Sequence, residues 1–358
     1  MTKPAPKKIA LLLSGLKCGG AERVALNLSE AFKDEGLLVD ILVMRKEGEF
    51  LSEAEKHYRV VDLACSRTYE LPGKLFMYLL KRRPDVLLVS FWKLNLCACV
   101  VRILFPSLKL LLWEHSLPSK SKNSPKWLYA ITASLFYQLS HKVVAVSAGV
   151  CNDIDRWSVG LRRKLVVIPN PIKPPNSRFL NRRKLKGSDR RMVISVGRLE
   201  EPKNPQLLLD AFALVPKGCN ATLQFIGDGR LRGELVQRSK ALGIEGRVRF
   251  LGYQSEPYEY ISAGDLLVVS SDREGFGNVI VEAMYCGLRV VSTDCGEGVR
   301  DILLNGRYGI IVPTQDKYAL ARAIEVELGG QHSFEQQRDG AQRFLPKVIV
   351  QRFLALIS

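Results

Sequence analysis

The sequence predicts an α/β protein built from two doubly wound parallel sheets. Short apolar runs of strand length alternate with longer segments of helical period, and this alternation stops at a basic segment and then starts again. The length of 358 residues agrees with two domains, because one domain typically has about 150 residues. Hydrophobic residues make up 47% and charged residues 25% of the chain, which is enough apolar mass for two cores and excludes extensive disorder.

Six strands are predicted in each half. Those of the first half are Ile9–Leu13, Val39–Met44, Val86–Ser90, Leu108–Trp113, Val143–Val146 and Leu165–Ile168. Those of the second half are Met192–Val196, Thr222–Ile226, Val248–Leu251, Leu266–Val269, Arg289–Ser292 and Ile310–Val312. We therefore predict a first domain over 1–170, a basic linker over 171–191, a second domain over 192–340, and a helical segment over 341–358 able to pack back on the first domain.

The positive charge is concentrated in one part of the chain. The formal net charge is +17. Residues 1–170 hold 26 Lys and Arg against 15 Asp and Glu, residues 171–191 hold 8 against 1, and residues 192–358 hold 19 against 20. The first half and the linker therefore indicate an acidic partner, such as nucleic acid, an anionic membrane or a phosphorylated substrate.

The cysteines and the apolar runs predict a protein of the cytoplasm. The eight cysteines show no CxxC pair, as in a reduced protein without a zinc site or a disulfide framework. Met1–Lys8 leads into a run that is too short for a secretory leader. The most apolar tract, Val86–Trp113, is broken by charges and a proline. We therefore expect a chain that does not cross a bilayer but is able to lie on one.

A glycine-rich loop follows the first strand. Gly15, Gly19 and Gly20 let the backbone approach a ligand, and the helical pattern that follows offers free N–H groups to an anion. The spacing is neither GxGxxG nor GxxxxGK[ST], which disfavours nicotinamide cofactors and P-loop nucleotide hydrolysis. A plain tight turn is the alternative.

The densest candidate site lies between Ser270 and Gly287. A strand ends near Ser270, a glycine-flanked loop carries Glu274, and a helix begins near Asn278 with Glu282 one turn in. Carboxylates accept hydrogen bonds from sugar hydroxyls, and the N–H groups of the helix start favour a phosphate. This pairing indicates a nucleotide sugar. Two glutamates eight residues apart could also serve as caps or face solvent.

Two cations follow the first strand of the second domain. Arg198 and Lys203 lie five residues apart in a strand-to-helix loop that starts at Gly197, where they can converge on a diphosphate. The alternative is a pair of surface cations beside acidic neighbours. A further glycine turn at Gly227 follows the next strand.

Together these motifs resemble family 4 of the retaining glycosyltransferases. Glu274-Gly-Phe-Gly followed by Glu282-Ala-Met and Gly287 is similar to the family's signature of two glutamates eight apart. The supporting motifs, in order, are Gly19-Gly20-Ala21-Glu22, Glu114-His115, Val146-Ser147, Asn170-Pro171, Gly197-Arg198-Leu199, Gly227-Asp228-Gly229 and Gly252-Tyr253. The resemblance implies the GT-B fold, in which two Rossmann-like domains face a cleft.

The resemblance also implies residue roles. Arg198 and Lys203 would hold the donor diphosphate, Glu274 the sugar hydroxyls, Glu282 the ribose, and His115 the reactive face of the sugar. The remaining residues implied in the nucleotide-sugar site are Gly19, Gly20, Gly197, Gly227, Tyr253, Phe276, Gly277, Asn278 and Val279. Family members retain the anomeric configuration, and no covalent enzyme nucleophile is needed.

The sequence departs from the family pattern in two places. Gly287 is followed by Leu288-Arg289 where a small residue and proline are usual, which leaves both glutamates intact. The loop over 293–301 lacks the usual Gly-Pro-x-Glu form, so we assign it no role in sugar recognition.

The expected reaction needs neither a metal nor a cofactor. Arg198, Lys203 and a helix N-terminus supply the positive charge that a metal would otherwise provide. The resemblance implies a hexosyltransferase that uses a UDP-sugar, with GDP possible, and a lipid-linked or lipopolysaccharide-type glycan acceptor. The basic first domain agrees with a peripheral position on an anionic membrane at the inner face. Two candidate membrane surfaces are Lys120–Tyr137 and Lys74–Arg83, and each can instead be a helix packed on its sheet.

Other functions stay open at this point. They are a GT-B enzyme with a soluble acceptor, a GT-B epimerase or phosphorylase, a catalytically silent homologue, and a basic nucleic-acid-binding protein. The basic residues are not interleaved with aromatics on a recognised module, which argues against nucleic acid.

Overall fold

A computed structural model describes residues 7–120, 125–180, 191–330 and 333–358. The chain divides into two compact units. Met1–Ile172 and Pro346–Ser358 form the first unit, and Lys173–Leu345 forms the second.

The first unit contains a seven-stranded parallel sheet. Its strands are β1 Lys8–Leu13, β2 Leu38–Val43, β3 Arg59–Asp62, β4 Val86–Ser90, β5 Lys109–Glu114, β6 Lys142–Ala145 and β7 Leu165–Val167. They lie in the order β3-β2-β1-β4-β5-β6-β7. The helices described in this unit are α1 Gly20–Asp34, α2 Leu51–His57, α3 Leu71–Arg82, α4 Trp92–Arg102, α5 Lys126–Phe136, α6 Ala148–Trp157 and α15 Pro346–Ile357. The strand order reverses between β1 and β4, so the loops after β1, β4 and β5 lie side by side at the carboxyl edge.

The second unit contains a six-stranded parallel sheet. Its strands are β8 Arg191–Val196, β9 Ala221–Ile226, β10 Val248–Phe250, β11 Leu266–Val269, β12 Arg289–Thr293 and β13 Ile310–Val312, in the order β10-β9-β8-β11-β12-β13. The helices described in this unit are α7 Ser177–Leu180, α8 Pro205–Leu214, α9 Arg232–Ala241, α10 Pro257–Ile261, α11 Asn278–Tyr285, α12 Glu297–Leu303, α13 Lys317–Gly329 and α14 Phe334–Ala341. Here the order reverses between β8 and β11, which places the loops after these two strands next to each other.

Strand and helix positions follow from the burial pattern. Every residue of β9 is buried, as expected for a central parallel strand that is covered on both faces. In α1, the apolar stripe of Val24, Leu28, Ala31 and Phe32 is buried, which matches a helix with one face on the sheet.

All the predicted strands are present, and their ends agree within one residue. The edge strand β3 was not predicted. Only two apolar residues, Val60 and Val61, lie between its charged ends, and the strand is only partly buried. Such a segment gives neither a buried run nor a clear alternation.

The described part of the predicted linker does not form a separate segment. Asn27 Nδ2 donates to the carbonyl of Pro171 at 3.0 Å, and Ile172 is buried in the first unit. The carbonyl of Lys173 accepts a hydrogen bond from Tyr258 Oη at 2.6 Å in the second unit, and α7 follows. Residues 181–190 of the predicted linker lie outside the described residues.

The C-terminal helix α15 belongs to the first unit. The ring of Phe353 lies 5.5 Å from Trp113 and 6.0 Å from Phe32. Lys7 Nζ and Lys109 Nζ donate to the carbonyl of Ile357 at 2.7 and 3.0 Å. These contacts fasten the last turn of the chain to the beginnings of two strands.

Helices α3 and α5 contain the two segments predicted as candidate membrane surfaces. Leu75, Tyr78 and Leu79, which were predicted to be interfacial, are buried in the core, so their assignment to a surface is wrong. Their spacing of three and four residues is that of the face that a helix packs on its sheet. Lys122 lies outside the described residues. None of the described helices is both long and apolar enough to span a bilayer.

Candidate active site

Two glycine loops of the second unit lie in contact at the carboxyl edge of the sheet. Gly197 follows β8 with φ 149°, and Gly227 follows β9 with φ 138°. The amide of Gly197 donates to the carbonyl of Ile226 at 2.9 Å. A Cβ atom at Gly227 would overlap the carbonyl oxygen of Gly197. Glycine is therefore needed at Gly227 both for the backbone angle and for the close approach.

The segment that carries Lys203 is attached to the loop after β11. Asn204 caps α8 by accepting a hydrogen bond from the amide of Leu207 at 3.1 Å, and its Nδ2 donates to Asp272 Oδ1 at 2.9 Å. Ser270 Oγ donates to the carbonyl of Lys203 at 3.0 Å. These bonds hold the loops after β8 and β11 together and fix the backbone position of Lys203.

Glu274 is held by one cation and one hydroxyl. Lys203 Nζ lies 2.5 Å from Glu274 Oε1, and Ser271 Oγ donates to the same oxygen at 2.7 Å. The side chain of Glu274 is only 13% exposed. Its amide donates to the carbonyl of Cys295 at 2.9 Å, which also fixes the backbone. Contacts to the backbone amide and to the carboxylate therefore together fix the orientation of Glu274.

These groups line one hollow. Gly197, Arg198, Lys203, Ser271 and Glu274 all contribute to its wall. Arg198 is exposed, so its guanidinium is accessible to a ligand. The hollow thus brings two cations together with a carboxylate that can accept hydrogen bonds.

Helix α11 begins beside Glu274. Gly277 caps it with φ 106°, and Phe276 is buried with its ring 5.6 Å from Phe344. The helix starts at Asn278, so the amides from Asn278 and Val279 belong to its first turn, where N–H groups have no acceptor within the helix. A helix start of this kind favours an anion.

Glu282 and Tyr253 lie on different elements of the same unit. Glu282 is a half-buried residue one turn into α11. Tyr253 follows Gly252, whose carbonyl accepts a hydrogen bond from the amide of Gly227 at 2.8 Å. The Tyr253 side chain is 50% exposed. The loop that carries Tyr253 is therefore tied to the loop of Gly227.

In the first unit, the glycine-rich loop ends at the start of α1. Gly19 is the N-cap and Gly20 the first helical residue. A Cβ atom at Gly19 would overlap the carboxylate of Glu22, which folds back over the cap. The amide of Leu16 donates to the carbonyl of Glu47 at 3.0 Å, and this bond anchors the loop.

His115 follows β5 at the same edge of the first sheet. Its Nε2 lies 3.4 Å from Ser90 Oγ at the end of β4, and its ring lies 4.5 Å from Trp113. Burial lowers the pKa of His115 to about 3, so the imidazole is neutral near pH 7 and offers one donor and one acceptor. Since β4 separates β1 from β5, the loop of Gly19 and Gly20 and His115 flank the end of β4.

A buried polar network lies directly behind His115. Asn95 Nδ2 donates to Glu114 Oε1 at 2.9 Å and lies 3.2 Å from Tyr137 Oη, which itself donates to Glu114 Oε1. Burial raises the pKa of Glu114 to about 7. Asn95 and Tyr137 were not singled out from the sequence. The signal in the sequence for this network is Asn95 itself, a polar residue on the otherwise apolar buried side of α4.

The predicted site residues are divided between the units. Gly19, Gly20 and His115 lie in the first unit, and all the others lie in the second. The sequence missed the residues that hold Lys203 and Glu274 in place, namely Asn204, Ser271 and Asp272. Within the described ranges, no group of three or more His, Cys, Asp or Glu side chains is placed to hold a metal ion.

Comparison with known proteins agrees with this geometry. A family model described as Glycosyltransferase Family 4 matches residues 18–174, and one described as Glycosyl transferases group 1 matches residues 177–342. The lipopolysaccharide core biosynthesis glycosyltransferase LpsE of Rhizobium meliloti is 30% identical over 316 residues, which are 86% of this chain and 85% of LpsE.

A second relative comes from Campylobacter jejuni. It is the N-acetylgalactosamine-N,N'-diacetylbacillosaminyl-diphospho-undecaprenol 4-alpha-N-acetylgalactosaminyltransferase, which is 26% identical over 339 residues and 90% of each chain. Among solved structures, Anabaena HepE in complex with UDP superposes with a TM-score of 0.80 over 98% of each chain at 23% identity. WaaG, a glycosyltransferase involved in lipopolysaccharide biosynthesis, gives a TM-score of 0.70 at 16% identity over 98% of this chain and 99% of WaaG.

The expected enzyme class and fold are therefore confirmed. Each of the two doubly wound parallel sheets lies in a region matched by its own family model. In addition, LpsE is 30% identical over 86% of this chain. The chain belongs to the group 1 and family 4 glycosyltransferases, enzymes with the GT-B fold.

Proposed function

We propose that this glycosyltransferase moves a hexose or N-acetylhexosamine from a UDP-sugar to a lipid-linked or lipopolysaccharide-type glycan. The transfer retains the anomeric configuration, needs no metal, and takes place at the cytoplasmic face of the membrane. The observation that carries the proposal is the pairing of Lys203 with Glu274 in one hollow, with Arg198 on its wall and the start of α11 beside it.

The donor fits the charges of the hollow. A nucleoside diphosphate carries negative charge that Arg198 and Lys203 can contact, and each charge-assisted hydrogen bond contributes roughly 1.5–3 kcal/mol. The start of α11 adds a partial positive charge on the same side. The sugar hydroxyls can donate to the carboxylate of Glu274, which Ser271 and Lys203 already orient.

The nucleotide and the acceptor are proposed from what similar proteins bind and act on. Anabaena HepE has been solved in complex with UDP. The Campylobacter relative is named for a diphospho-undecaprenol acceptor, and LpsE for the lipopolysaccharide core. The excess of Lys and Arg in residues 1–170 agrees with an acceptor that carries phosphate and is held at an anionic membrane.

The reaction is one substitution at the anomeric carbon of the donor. The bond between that carbon and the departing phosphate oxygen breaks, and a bond to the acceptor hydroxyl oxygen forms on the same face. The hydroxyl proton passes to the departing phosphate. Arg198, Lys203 and the start of α11 stabilise the charge that develops on the leaving diphosphate. His115, as a neutral imidazole, can hydrogen-bond the sugar on its reactive face.

The experiment is a transfer assay with labelled UDP- and GDP-sugars and bacterial membranes. The proposal expects label in the organic-extractable lipid from one UDP-sugar, and expects its loss in Glu274→Ala. Label confined to water-soluble products would contradict the lipid-linked acceptor. Transfer from a GDP-sugar alone would contradict the UDP donor. Normal activity in Glu274→Ala would contradict the site.

A further inference from the structure

Helices α3, α4 and α5 cover one face of the first sheet. The connections β3-α3-β4, β4-α4-β5 and β5-α5-β6 all run in the same direction across the sheet. Because such crossovers are right-handed, they place these three helices and α6, which joins β6 to β7, on one face and α1 and α2 on the other. The helices are also joined to one another: Trp92 Nε1 on α4 donates to Thr132 Oγ1 on α5 at 3.1 Å, and the ring of Phe76 on α3 lies 5.7 Å from that of Phe105, which follows α4.

The outer side of these helices exposes large apolar side chains. On α5, Trp127, Ile131 and Leu135 follow one another at intervals of four residues and are 63%, 52% and 65% exposed. They form a stripe opposite the buried Tyr129 and Ala133. The other exposed large apolar residues of this face are Met77, Leu80, Val100, Ile103 and Leu104. The core does not need these side chains, because other residues of each helix fill it.

The helices α3, α4 and α5 themselves carry positive charge only, whereas the neighbouring α6 carries Asp153 and Asp155. Residues 71–83, 92–104 and 126–136 contain no Asp or Glu. Their cations are Lys74, Lys81, Arg82, Arg83, Lys93, Arg102 and Lys126. By contrast, α1 and α2 on the opposite face contain five acidic residues, which are Glu22, Glu30, Asp34, Glu53 and Glu55. The two acids that flank α3 are used locally, since Glu70 accepts from the amide of Ser66 and Asp85 from the amide of Lys8.

A cavity of about 700 Å³ opens beside α3 at the edge of the sheet. Its wall combines the apolar side chains of Met77 and Leu80 with the cations Lys74, Lys81 and Arg82. Asp62 is the one acid in its lining among the described residues. A lining of this kind matches a molecule with an apolar part and a negatively charged head.

We propose that the outer surface of α3, α4 and α5, which we call the docking face, binds an anionic lipid bilayer. The inference rests on the proposed function, because it identifies the surface that brings the first unit to a lipid-linked acceptor. Trp127, Ile131, Leu135 and Met77 would enter the headgroup region, while lysines such as Lys81 keep their ammonium groups at the phosphates.

Charge favours a bilayer over the other occupants of such a face. A second copy of the chain that used the same face would bring two sets of cations together, of which Arg82 is paired with Asp40 at 3.7 Å, and the meeting of the remaining cations is repulsive. A nucleic acid would match the charge, but it offers nothing for the exposed Ile131 and Leu135 to bury against. An anionic membrane satisfies both features, because basic residues near its surface and apolar side chains in its interface each add to binding.

The experiment is co-sedimentation of the full chain with phosphatidylcholine vesicles, with and without phosphatidylglycerol, at low and high salt. We expect binding that needs phosphatidylglycerol and weakens with salt. Two double variants test the face: Trp127→Ser with Ile131→Ser, and Lys74→Glu with Lys81→Glu. Each double variant should weaken partition into the vesicles by about tenfold or more. The first removes apolar side chains from the interface, and the second reverses two charges that attract anionic lipid.

Matched controls come from the second unit. Tyr318→Ser with Val326→Ser on α13 removes two exposed apolar side chains, and Lys217→Glu with Lys240→Glu reverses two exposed cations. Both controls should bind vesicles like the wild type. Equal losses in the face variants and the controls would overturn the proposal. So would absence of binding at low salt, or self-association through this face measured by light scattering.

A second readout separates this proposal from the proposed function. Transfer to a detergent-solubilised acceptor should be unchanged in the face variants, because none of these residues belongs to the site. If transfer to lipid is absent in every protein while vesicle binding depends on the docking face, the proposed acceptor fails and the docking face stands. If the face variants lose transfer in detergent as well, the effect is not membrane docking and the proposal fails.

Discussion

Lys203 Nζ and Glu274 Oε1 lie 2.5 Å apart, although 71 residues separate them in the sequence. The resemblance to family 4 enzymes assigns the first group to the donor phosphate and the second to the sugar. In this structure they neutralise each other at a site where Glu274 is only 13% exposed. A buried carboxylate without a partner is costly, so we expect the pair to persist until a donor phosphate competes for Lys203.

Ser271 should act by positioning Glu274. Its Oγ donates to Glu274 Oε1 at 2.7 Å. In Ser271→Ala we expect kcat to fall about three- to tenfold with little change in nucleotide affinity, since one hydrogen bond contributes about 0.5–1.5 kcal/mol. Steady-state kinetics with calorimetric nucleotide binding measures this. Ser262→Ala, which removes a buried hydroxyl of the same unit, is the control. An unchanged kcat in Ser271→Ala would show that Lys203 alone orients the carboxylate.

Gly227 should not tolerate a side chain. A Cβ atom there would overlap the carbonyl of Gly197, and φ is 138°. Gly227→Ala should therefore displace the loop of Arg198 and lower the free energy of unfolding by at least about 1 kcal/mol. Chemical denaturation and nucleotide titration measure both effects. In Gly233→Ala the new Cβ meets no atom within 4 Å, and this change in α9 should be neutral or stabilising. Equal stability of the two variants would contradict the close approach of the loops.

His115 should stay neutral through the physiological range. Burial lowers the pKa of its imidazole to about 3, so the proton that an exposed histidine binds near pH 6.5 is not bound in the folded protein. An NMR titration of the four histidines, with the His115 resonance assigned by its absence in His115→Gln, measures this. We expect no titration of His115 between pH 8 and about 5. A midpoint between about pH 6 and 7 would mean that solvent reaches the ring.

Glu114 should make stability depend on pH. Burial raises its pKa from 4.5 to about 7. Because the folded protein favours the protonated form, its contribution is complete below pH 4.5 and is lost as the pH rises through about 7. Glu114→Gln keeps the shape without the titration, so it should gain up to about 3 kcal/mol relative to the wild type across this window.

Denaturation curves at several pH values measure the effect of Glu114. Glu245→Gln, at an exposed carboxylate of the second unit, is the control and should follow the wild type. A constant difference between Glu114→Gln and the wild type over the window would contradict a buried titrating carboxylate.

The fold was predictable because central strands such as β1, β4 and β11 are buried along nearly their whole length and therefore appear as short apolar runs. The edge strand β3 was not, because it has only two apolar residues between charged ends. The same reasoning explains the error on α3. Leu75 and Tyr78 are apolar beside lysines, but only the helix register shows that they face the sheet, whereas Met77 and Leu80 face outward.

The candidate site was predictable where a motif names its residues. Glu274, Lys203 and Arg198 were found from local spacing, and the sheet topology brings them to one hollow. Their supports were not predictable. The bond between Asn204 and Asp272 joins two loops 68 residues apart, and a single sequence carries no signal for such a pair. The network of Glu114, Asn95 and Tyr137 is hidden for the same reason.

The most direct test of the account compares four variants in one transfer assay, in detergent, with the donor that the wild type uses. Glu274→Ala and Lys203→Ala alter the pair in the hollow, while Glu245→Ala and Lys240→Ala remove exposed charges elsewhere in the same unit. We predict that the first two lose about 100-fold or more of the transfer rate while the other two keep it, because only the first two remove charge that faces the reacting groups. Near-normal rates in folded Glu274→Ala and Lys203→Ala would contradict the central claim.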